Sequence, residues 1–142
     1  MFVKQLTVFI ENRSGRLSEV LGVLKDNNVS ILSLSLADTT EYGLLRVIVN
    51  EPEKAKDVLL NEGFSSMLTD VLILKIPHVA GSLQKILSII AENGVNIEYM
   101  YGLSVEADDA SIVMKTNDLD SACRVLRDAK IGTMTIEEIA NH

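Results

Sequence analysis

Two short segments carry residue types suited to holding a small charged ligand. The first is Asn12-Arg13-Ser14-Gly15-Arg16-Leu17, which lies between a strand-like run and a helix-like run. The second, His78-Val79-Ala80-Gly81-Ser82-Leu83, repeats this arrangement 66 residues later. A glycine at such a junction lets the backbone turn sharply and lets a ligand approach closely. The backbone N–H groups at the start of the next helix then face that ligand with a partial positive charge.

The sequence around these turns is an internal repeat. At a spacing of 66 residues the identical pairs are Leu6/Leu72, Ile10/Ile76, Gly15/Gly81, Leu17/Leu83, Leu21/Leu87, Asn27/Asn93, Val29/Val95 and Ile31/Ile97. Later pairs, such as Asn50/Asn117, are spaced by 67 residues, so one residue is inserted between Ile97 and Asn117. Because loops accept insertions most easily, we expect the extra residue in a hairpin turn.

Periodicity predicts the same elements in each copy. Leu6, Val8 and Ile10 alternate with other residues as in a strand, and apolar residues recur at helical spacing between 17 and 24. Two more strands and a second helix follow in each copy. A weak fourth strand is expected near residues 65–68 in the first copy and over 134–139 in the second. Whether the first copy's last strand is very short or is shared with the second copy stays open.

The order β-α-β-β-α-β defines the expected fold. It predicts an α+β protein of two ferredoxin-like repeats, each an antiparallel sheet with both helices on one face. The expected domains are residues 1–69 and 70–142. This fold hosts many unrelated functions, so it does not identify one by itself.

Composition argues against several classes of protein. The 142 residues include 13 basic and 20 acidic side chains, a net charge of −7 without a basic cluster, so we expect no nucleic-acid partner. No apolar run reaches the roughly 18 residues of a membrane span. The N-terminus lacks the features of a secretory signal, so we expect no membrane partner and a cytoplasmic protein. The single cysteine excludes an internal disulfide and a Cys-pair metal site.

A search for catalytic patterns points away from an enzyme. The sequence has no Cys-x-x-Cys, His-Glu-x-x-His or Gly-x-Ser-x-Gly pattern. Of the two histidines, His142 is the last residue, and His78 has no nucleophile near it in the sequence. We therefore expect no catalytic residues, no metal and no cofactor.

The two glycine turns resemble those of the ACT domain, the amino-acid-sensing module of metabolic enzymes and regulators. The resemblance rests on the turn segments together with Val29-Ser30-Ile31 and Val95-Asn96-Ile97, and it covers nearly the whole chain twice. The most similar type is the regulatory domain of phosphoglycerate dehydrogenase. The family usually has proline before the glycine, where this chain has Ser14 and Ala80, and this departure loosens the preset geometry of the turn.

The resemblance implies a tandem ACT protein that binds a free amino acid between its two repeats and acts as an allosteric regulator. Asn12 and Asn96 match the asparagines that hold the ligand from its two sides in the family. A second site, with the roles of the two repeats exchanged, would have His78 and Ser30 at these positions and so departs from the family pattern. The remaining implied ligand-binding residues are Arg13, Ser14, Gly15, Arg16, Leu17, Ile31, Val79, Ala80, Gly81, Ser82, Leu83 and Ile97. A metabolic enzyme or regulator is the implied protein partner. Whether two chains also form a homodimer stays open.

Structural interpretations remain beside these roles. Asn12 can serve as a turn or capping residue, Asn96 as a strand-start residue, and His78 as an ordinary loop residue. Arg13 and Arg16 are expected to be solvated. The alternative function for the whole chain is a protein-interaction module of the same fold with degenerate ligand pockets.

Overall fold

A computed structural model of the chain describes residues 2–11, 14–38, 42–105 and 109–140. The chain divides into a first unit, Lys4–Thr69, and a second unit, Asp70–His142 with Met1–Val3. The two units correspond to the two copies of the sequence repeat. No helix in the described ranges is long and apolar enough to cross a membrane.

The first copy has the element order that its periodicity predicts. Its elements are β1 (Val3–Glu11), α1 (Arg16–Asp26), β2 (Ile31–Asp38), β3 (Tyr42–Val49), α2 (Pro52–Asn61) and β4 (Ser66–Pro77). Strand β3 pairs antiparallel with β1 and β2. The Phe9 N–H donates to the Ser65 carbonyl oxygen (3.0 Å) as the chain approaches β4. The proline at the start of α2 replaces an N–H that has no helical partner.

Helices α1 and α2 cover one face of the first unit's sheet. Its buried core consists of Leu6, Val8, Ile10, Val20, Leu24, Val29, Leu45, Val47, Val49, Ala55, Leu59 and Phe64. The strand members are spaced by two and the α1 members by four, so each element contributes one face or stripe. This burial of one apolar face is what holds the helices on the sheet.

The second copy builds the same layers. After β4 come α3 (Ser82–Glu92), β5 (Ile97–Val105), β6 (Asp109–Thr116), α4 (Leu119–Asp128), β7 (Gly132–Thr133) and α5 (Ile136–Ala140). Strand β6 pairs with β4 and β5, and β7 pairs with β4, all antiparallel. The core is Leu72, Leu74, Ile76, Ile86, Ile90, Val95, Ile112, Met114, Ala122 and Leu126. The expected α+β architecture of two ferredoxin-like repeats is confirmed.

The junction between the copies is a single strand. Strand β4 runs without a break through Thr69 and Asp70, so the first copy's last strand and the second copy's first strand are continuous. The last strand of the first copy is therefore not a separate short strand, but part of a strand shared with the second copy.

The inserted residue of the second copy lies inside a strand, and its expected location in a hairpin turn is wrong. Gly102 pairs with Ile112 and Ser104 with Ser111, which leaves Leu103 as one extra residue in β5. Three residues separate the strands of both hairpins, so the turns are equal in length. The edge position of β5 explains the tolerance, because a bulge in an edge strand disrupts pairing on one side only.

The predicted strand over residues 134–139 is also wrong, since only Gly132 and Thr133 are extended and α5 follows. The reason is a capping box. The Glu138 N–H donates to the Thr135 hydroxyl oxygen (3.2 Å), and the Thr135 N–H donates to the Glu138 carboxylate (3.4 Å). This reciprocal pair satisfies N–H groups that a short helix otherwise leaves open.

Replacing Thr135 by alanine removes the cap of α5. We expect Thr135→Ala to lower the free energy of unfolding by about 1 kcal/mol, measured by urea denaturation. The control is Glu137→Ala at an exposed position in the same helix, which takes no part in the capping box. Equal stabilities of the two variants would contradict the capping role.

Helix α4 has a titratable cap. Its N-cap Asp118 accepts hydrogen bonds from the backbone N–H of Ser121 (3.1 Å) and from its hydroxyl (2.7 Å). These bonds, the backbone one first, favour the charged carboxylate and lower the pKa of Asp118 below its ordinary value.

The lowered pKa predicts an acid-sensitive contribution to stability. A carboxyl whose folded pKa is depressed stabilises the protein above its unfolded pKa of about 3.9, and this stability is lost as the pH falls through the folded value. We expect the melting temperature of the wild type to fall faster than that of Asp118→Asn as the pH drops below about 4. Parallel pH profiles for the two proteins would refute this contribution.

Candidate functional site

The two glycine turns have the same geometry. Gly15 precedes α1 with φ of +86°, and Gly81 precedes α3 with φ of +89°. Both values lie in the left-handed region that favours glycine. The Glu19 N–H donates to the Gly15 carbonyl oxygen and the Lys85 N–H to that of Gly81, each at 3.0 Å. The sharp strand-to-helix turn expected in each copy is confirmed.

The first turn is described in part. Asn12 and Arg13 lie outside the described residues, and Ser14 is exposed. The Arg16 guanidinium lies over the Phe64 ring, 4.3 Å from its centre, and its Nη1 is 2.6 Å from a Glu19 carboxylate oxygen. Its side chain is only 15% exposed, so the expectation that Arg16 is solvated is wrong. The ring and the carboxylate hold the guanidinium against the unit's core.

The second turn opens on a cavity of about 650 Å³ within the second unit. The predicted site residues that line it are His78, Val79, Gly81 and Leu83. This volume is typical of small-molecule sites in proteins. The structure thus brings four residues of the second turn segment to one concave surface.

The walls of the cavity come from α3 and from the strands next to it. Leu83 and Leu87 of α3 form one wall, and Met100 and Gly102 of β5 face them. The end of β4 and the start of β6 close the remaining sides. Met100 and Gly102 pair with the core residues Met114 and Ile112, and this pairing places them on the helix-covered side of the sheet.

The first turn of α3 supplies polar groups at the mouth of this cavity. The Ser82 N–H donates to the Val79 carbonyl oxygen (3.1 Å), but no described residue accepts from the N–H groups of Leu83 and Gln84. No side chain caps the helix. Uncapped N–H groups at a helix start carry a partial positive charge and suit a carboxylate.

The strand-start positions are fixed by a repeated hydrogen bond. The Ser30 N–H donates to the Asn50 side-chain oxygen (2.9 Å), and the Asn96 N–H donates to that of Asn117 (3.0 Å). The backbones of Ser30 and Asn96 are therefore anchored, while their side chains are exposed. In the sequence, Asn50 and Asn117 are recognisable only as a repeated pair.

The remaining predicted site residues are spread around these features. Ile31 and Ile97 are half-buried and pack against the cores of their own units. Ser82 lines a second cavity of about 310 Å³ together with Lys75 and Lys85. Leu17 is half-buried against the first core, and Ala80 is exposed.

Sequence reasoning missed the strand residues of the large cavity, above all Gly102. Glycine inside a strand is a known mark of a bulge or of close approach by a ligand. The change in repeat spacing from 66 to 67 falls beside this glycine. The two signals together would have indicated this part of β5 as unusual.

The large cavity is uncharged and mostly apolar. None of its lining residues is Asp, Glu, Lys, Arg or Cys, and His78 is the one imidazole. Among the described residues, no three His, Cys, Asp or Glu side chains are grouped so as to hold a metal ion. The cavity therefore combines apolar walls with the open N–H groups at the start of α3.

Comparison with known proteins gives a family. A family model described as an ACT domain pair matches residues 1–141. The crystal structure of protein BT0572 from Bacteroides thetaiotaomicron is 36% identical, covers 98% of this chain and 96% of its own, and superposes with a TM-score of 0.93. A search of curated protein sequences finds no significant match.

More distant structures share the fold. The ligand-free regulatory subunit of aspartate kinase from Thermus thermophilus is 18% identical, with a TM-score of 0.65 over 89% of this chain and 91% of its own. The corresponding subunit from Thermus flavus is 16% identical with a TM-score of 0.62, at the same coverage. The specific likeness to phosphoglycerate dehydrogenase stays a prediction. The match of the family model to residues 1–141, nearly the whole chain, shows that this protein belongs to the ACT domain pair family.

Proposed function

We propose that this protein is a non-catalytic regulatory module that binds a free amino acid at the Gly81 turn. The observation that carries the proposal is the cavity that opens beside the uncapped start of α3. Membership of the ACT domain pair family supports a regulatory role. The aspartate kinase subunits that share the fold are named as regulatory subunits, which agrees with this role.

The polar groups of an amino acid match the mouth of the cavity. The carboxylate would accept hydrogen bonds from the N–H groups of Leu83 and Gln84. Each bond to a charged group contributes about 1.5–3 kcal/mol, and the helix start adds about 0.3–1 kcal/mol. After the cost of immobilising the ligand, such a set is compatible with roughly micromolar to millimolar affinity.

The ammonium group needs acceptors, which carbonyl oxygens of the turn and asparagine side chains can supply. The sequence-based prediction assigns this role to Asn12 and Asn96 from the two repeats. Asn12 lies outside the described residues, so its role stays a prediction. Asn96 does not line this cavity, because it is bonded to Asn117 beyond the end of β6, whereas the cavity lies at the start of β6. Its role as an acceptor from the other repeat therefore also stays a prediction.

The chemistry of the cavity supports the absence of catalysis. The imidazole of His78 has no carboxylate, amine or thiol beside it in the lining that could act as a partner. The buried Ser111 hydroxyl donates to the Met134 sulfur (3.6 Å), which does not activate it as a nucleophile.

A regulatory output requires a partner or a change of assembly. Ligand binding shifts such an equilibrium only by its differential affinity for the two states. We propose a metabolic enzyme or regulator, or a second copy of this chain, as the partner that responds.

Titration with amino acids tests the proposed function. We expect at least one of the twenty common amino acids to release or absorb heat with a dissociation constant below a few millimolar, and to raise the melting temperature. The alternative of an interaction module with degenerate pockets predicts no response to any of them. A flat calorimetric titration with all twenty would therefore refute ligand sensing and favour that alternative.

A matched pair of glycine substitutions tests where the ligand binds. Gly81→Ala and Gly15→Ala each force alanine into a left-handed backbone, and an added Cβ at either site meets no atom within 4 Å. We expect each to cost about 1 kcal/mol of stability by urea denaturation. Only Gly81→Ala should weaken amino-acid binding by calorimetry, because its turn forms the cavity mouth. Equal loss of affinity in both variants would count against a site at the second turn alone.

A further inference from the structure

The edge strands β2 and β5 can be compared directly, because the strand registers match their positions pair by pair. In the first unit, Leu34 pairs with Val47 and Leu36 with Leu45. In the second unit, Met100 pairs with Met114 and Gly102 with Ile112. Each pair of the second unit is the repeat-related equivalent of a pair in the first. Gly102 therefore occupies the position at which the first repeat has a leucine.

The glycine leaves a space that a leucine would fill. Leu36 pairs with a core residue of β3, so its side chain lies on the helix-covered side of the sheet, where it is 49% exposed. At Gly102, which lines the cavity, an added Cβ meets no heavy atom within 4 Å. Gly102 does not have a positive φ, so a residue with a side chain could adopt this backbone conformation without strain. A side chain at position 102 would therefore occupy open space at the wall of the cavity.

The β-bulge of β5 lies next to Gly102. Leu103 is the extra residue of β5, and it immediately follows Gly102. On the partner strand, Ala110, Ser111 and Ile112 all line the cavity opposite this irregularity. A bulge bends its strand and changes the direction of its neighbours. One insertion and one missing side chain therefore coincide at the wall of the same cavity.

The lining also selects among ligand side chains. Leu83, Leu87, Met100 and Ile112 present aliphatic surface, and no lining residue carries a formal charge. Placing a charged side chain there without a partner is strongly unfavourable. Burying an aliphatic side chain against these walls is favourable because it removes apolar surface from water.

We propose that Gly102 and the Leu103 bulge make the second repeat a selectivity pocket for amino acids with apolar side chains. This inference rests on the proposed function and adds the ligand class and the residue that determines it. The apolar side chain lies against β5, in the space beside Gly102. The first repeat has the side chain of Leu36 at the equivalent position.

Calorimetry with a divided panel of amino acids tests the selectivity. The apolar probes are L-leucine, L-isoleucine, L-valine, L-methionine and L-phenylalanine, and the polar probes are L-serine, L-aspartate and L-lysine. We expect the best apolar probe to bind roughly ten- to one-hundred-fold more tightly than every polar probe. A polar probe that binds as tightly as the best apolar one would overturn the inference while leaving the proposed function intact.

The variant Gly102→Leu tests the structural cause. It should abolish binding of the best apolar probe, or weaken it at least ten-fold, while circular dichroism and the melting temperature show a folded protein. If Gly102→Leu does not fold, Gly102→Ala adds a single methyl group and should weaken the largest apolar probe most. The matched control is Leu36→Ala at the equivalent strand position, for which we expect an unchanged dissociation constant.

The outcomes separate the two proposals. No binding by any probe to the wild type would refute the proposed function and, with it, the inference. Apolar binding that survives Gly102→Leu unchanged, or that Leu36→Ala weakens equally, would overturn the inference alone.

Discussion

The left-handed backbone at Gly15 and Gly81 is the constraint on which both repeats depend. Each glycine ends the connection from a first strand and lets a helix begin within a few residues, so that the helix lies back on its own sheet. A residue with a Cβ would resist this conformation. The same turn leaves backbone N–H groups at the helix start without internal partners. The turn that the fold requires and the open N–H groups on which the proposed ligand site rests therefore arise from one backbone geometry.

The two copies share one scaffold but differ in their edge strands. The side-chain amides of Asn27 and Asn93 donate to the carbonyl oxygens of Val23 and Ile89, at 2.8 Å in both copies, and so close the ends of α1 and α3. The asparagines at 50 and 117 hold the starts of β2 and β5 in the same way. These repeated bonds fix the same backbone positions in both copies. The copies diverge instead along an edge strand, where a change of side chain or of register disturbs one neighbour rather than two.

Sequence periodicity predicted most of this fold because each main element buries a single face. The periodicity gave a wrong prediction for residues 134–139, because a short segment with apolar residues can form either a strand or a helix. Here the capping box of Thr135 and Glu138 favours the helix. The repeat spacing placed the insertion only between residues 97 and 117, so its assignment to Leu103 required the strand pairing. The position of Arg16 over Phe64 was equally inaccessible, because the two residues are distant in sequence. The glycine turns were predictable, whereas the cavity walls depend on tertiary packing.

The apolar cavity has an energetic consequence of its own. Aliphatic side chains that line an open cavity keep contact with water that a filled core would have removed, so the second repeat forgoes part of its hydrophobic stabilisation. Such open apolar surface is normally minimised unless a binding partner covers it. The bulge adds to this cost, since the residue at 103 has no partner in the ladder. Two departures from the better-packed arrangement therefore fall at one place in one repeat. A ligand whose side chain fills the space beside Gly102 would recover the lost burial, and it would couple its own binding to the stability of the repeat.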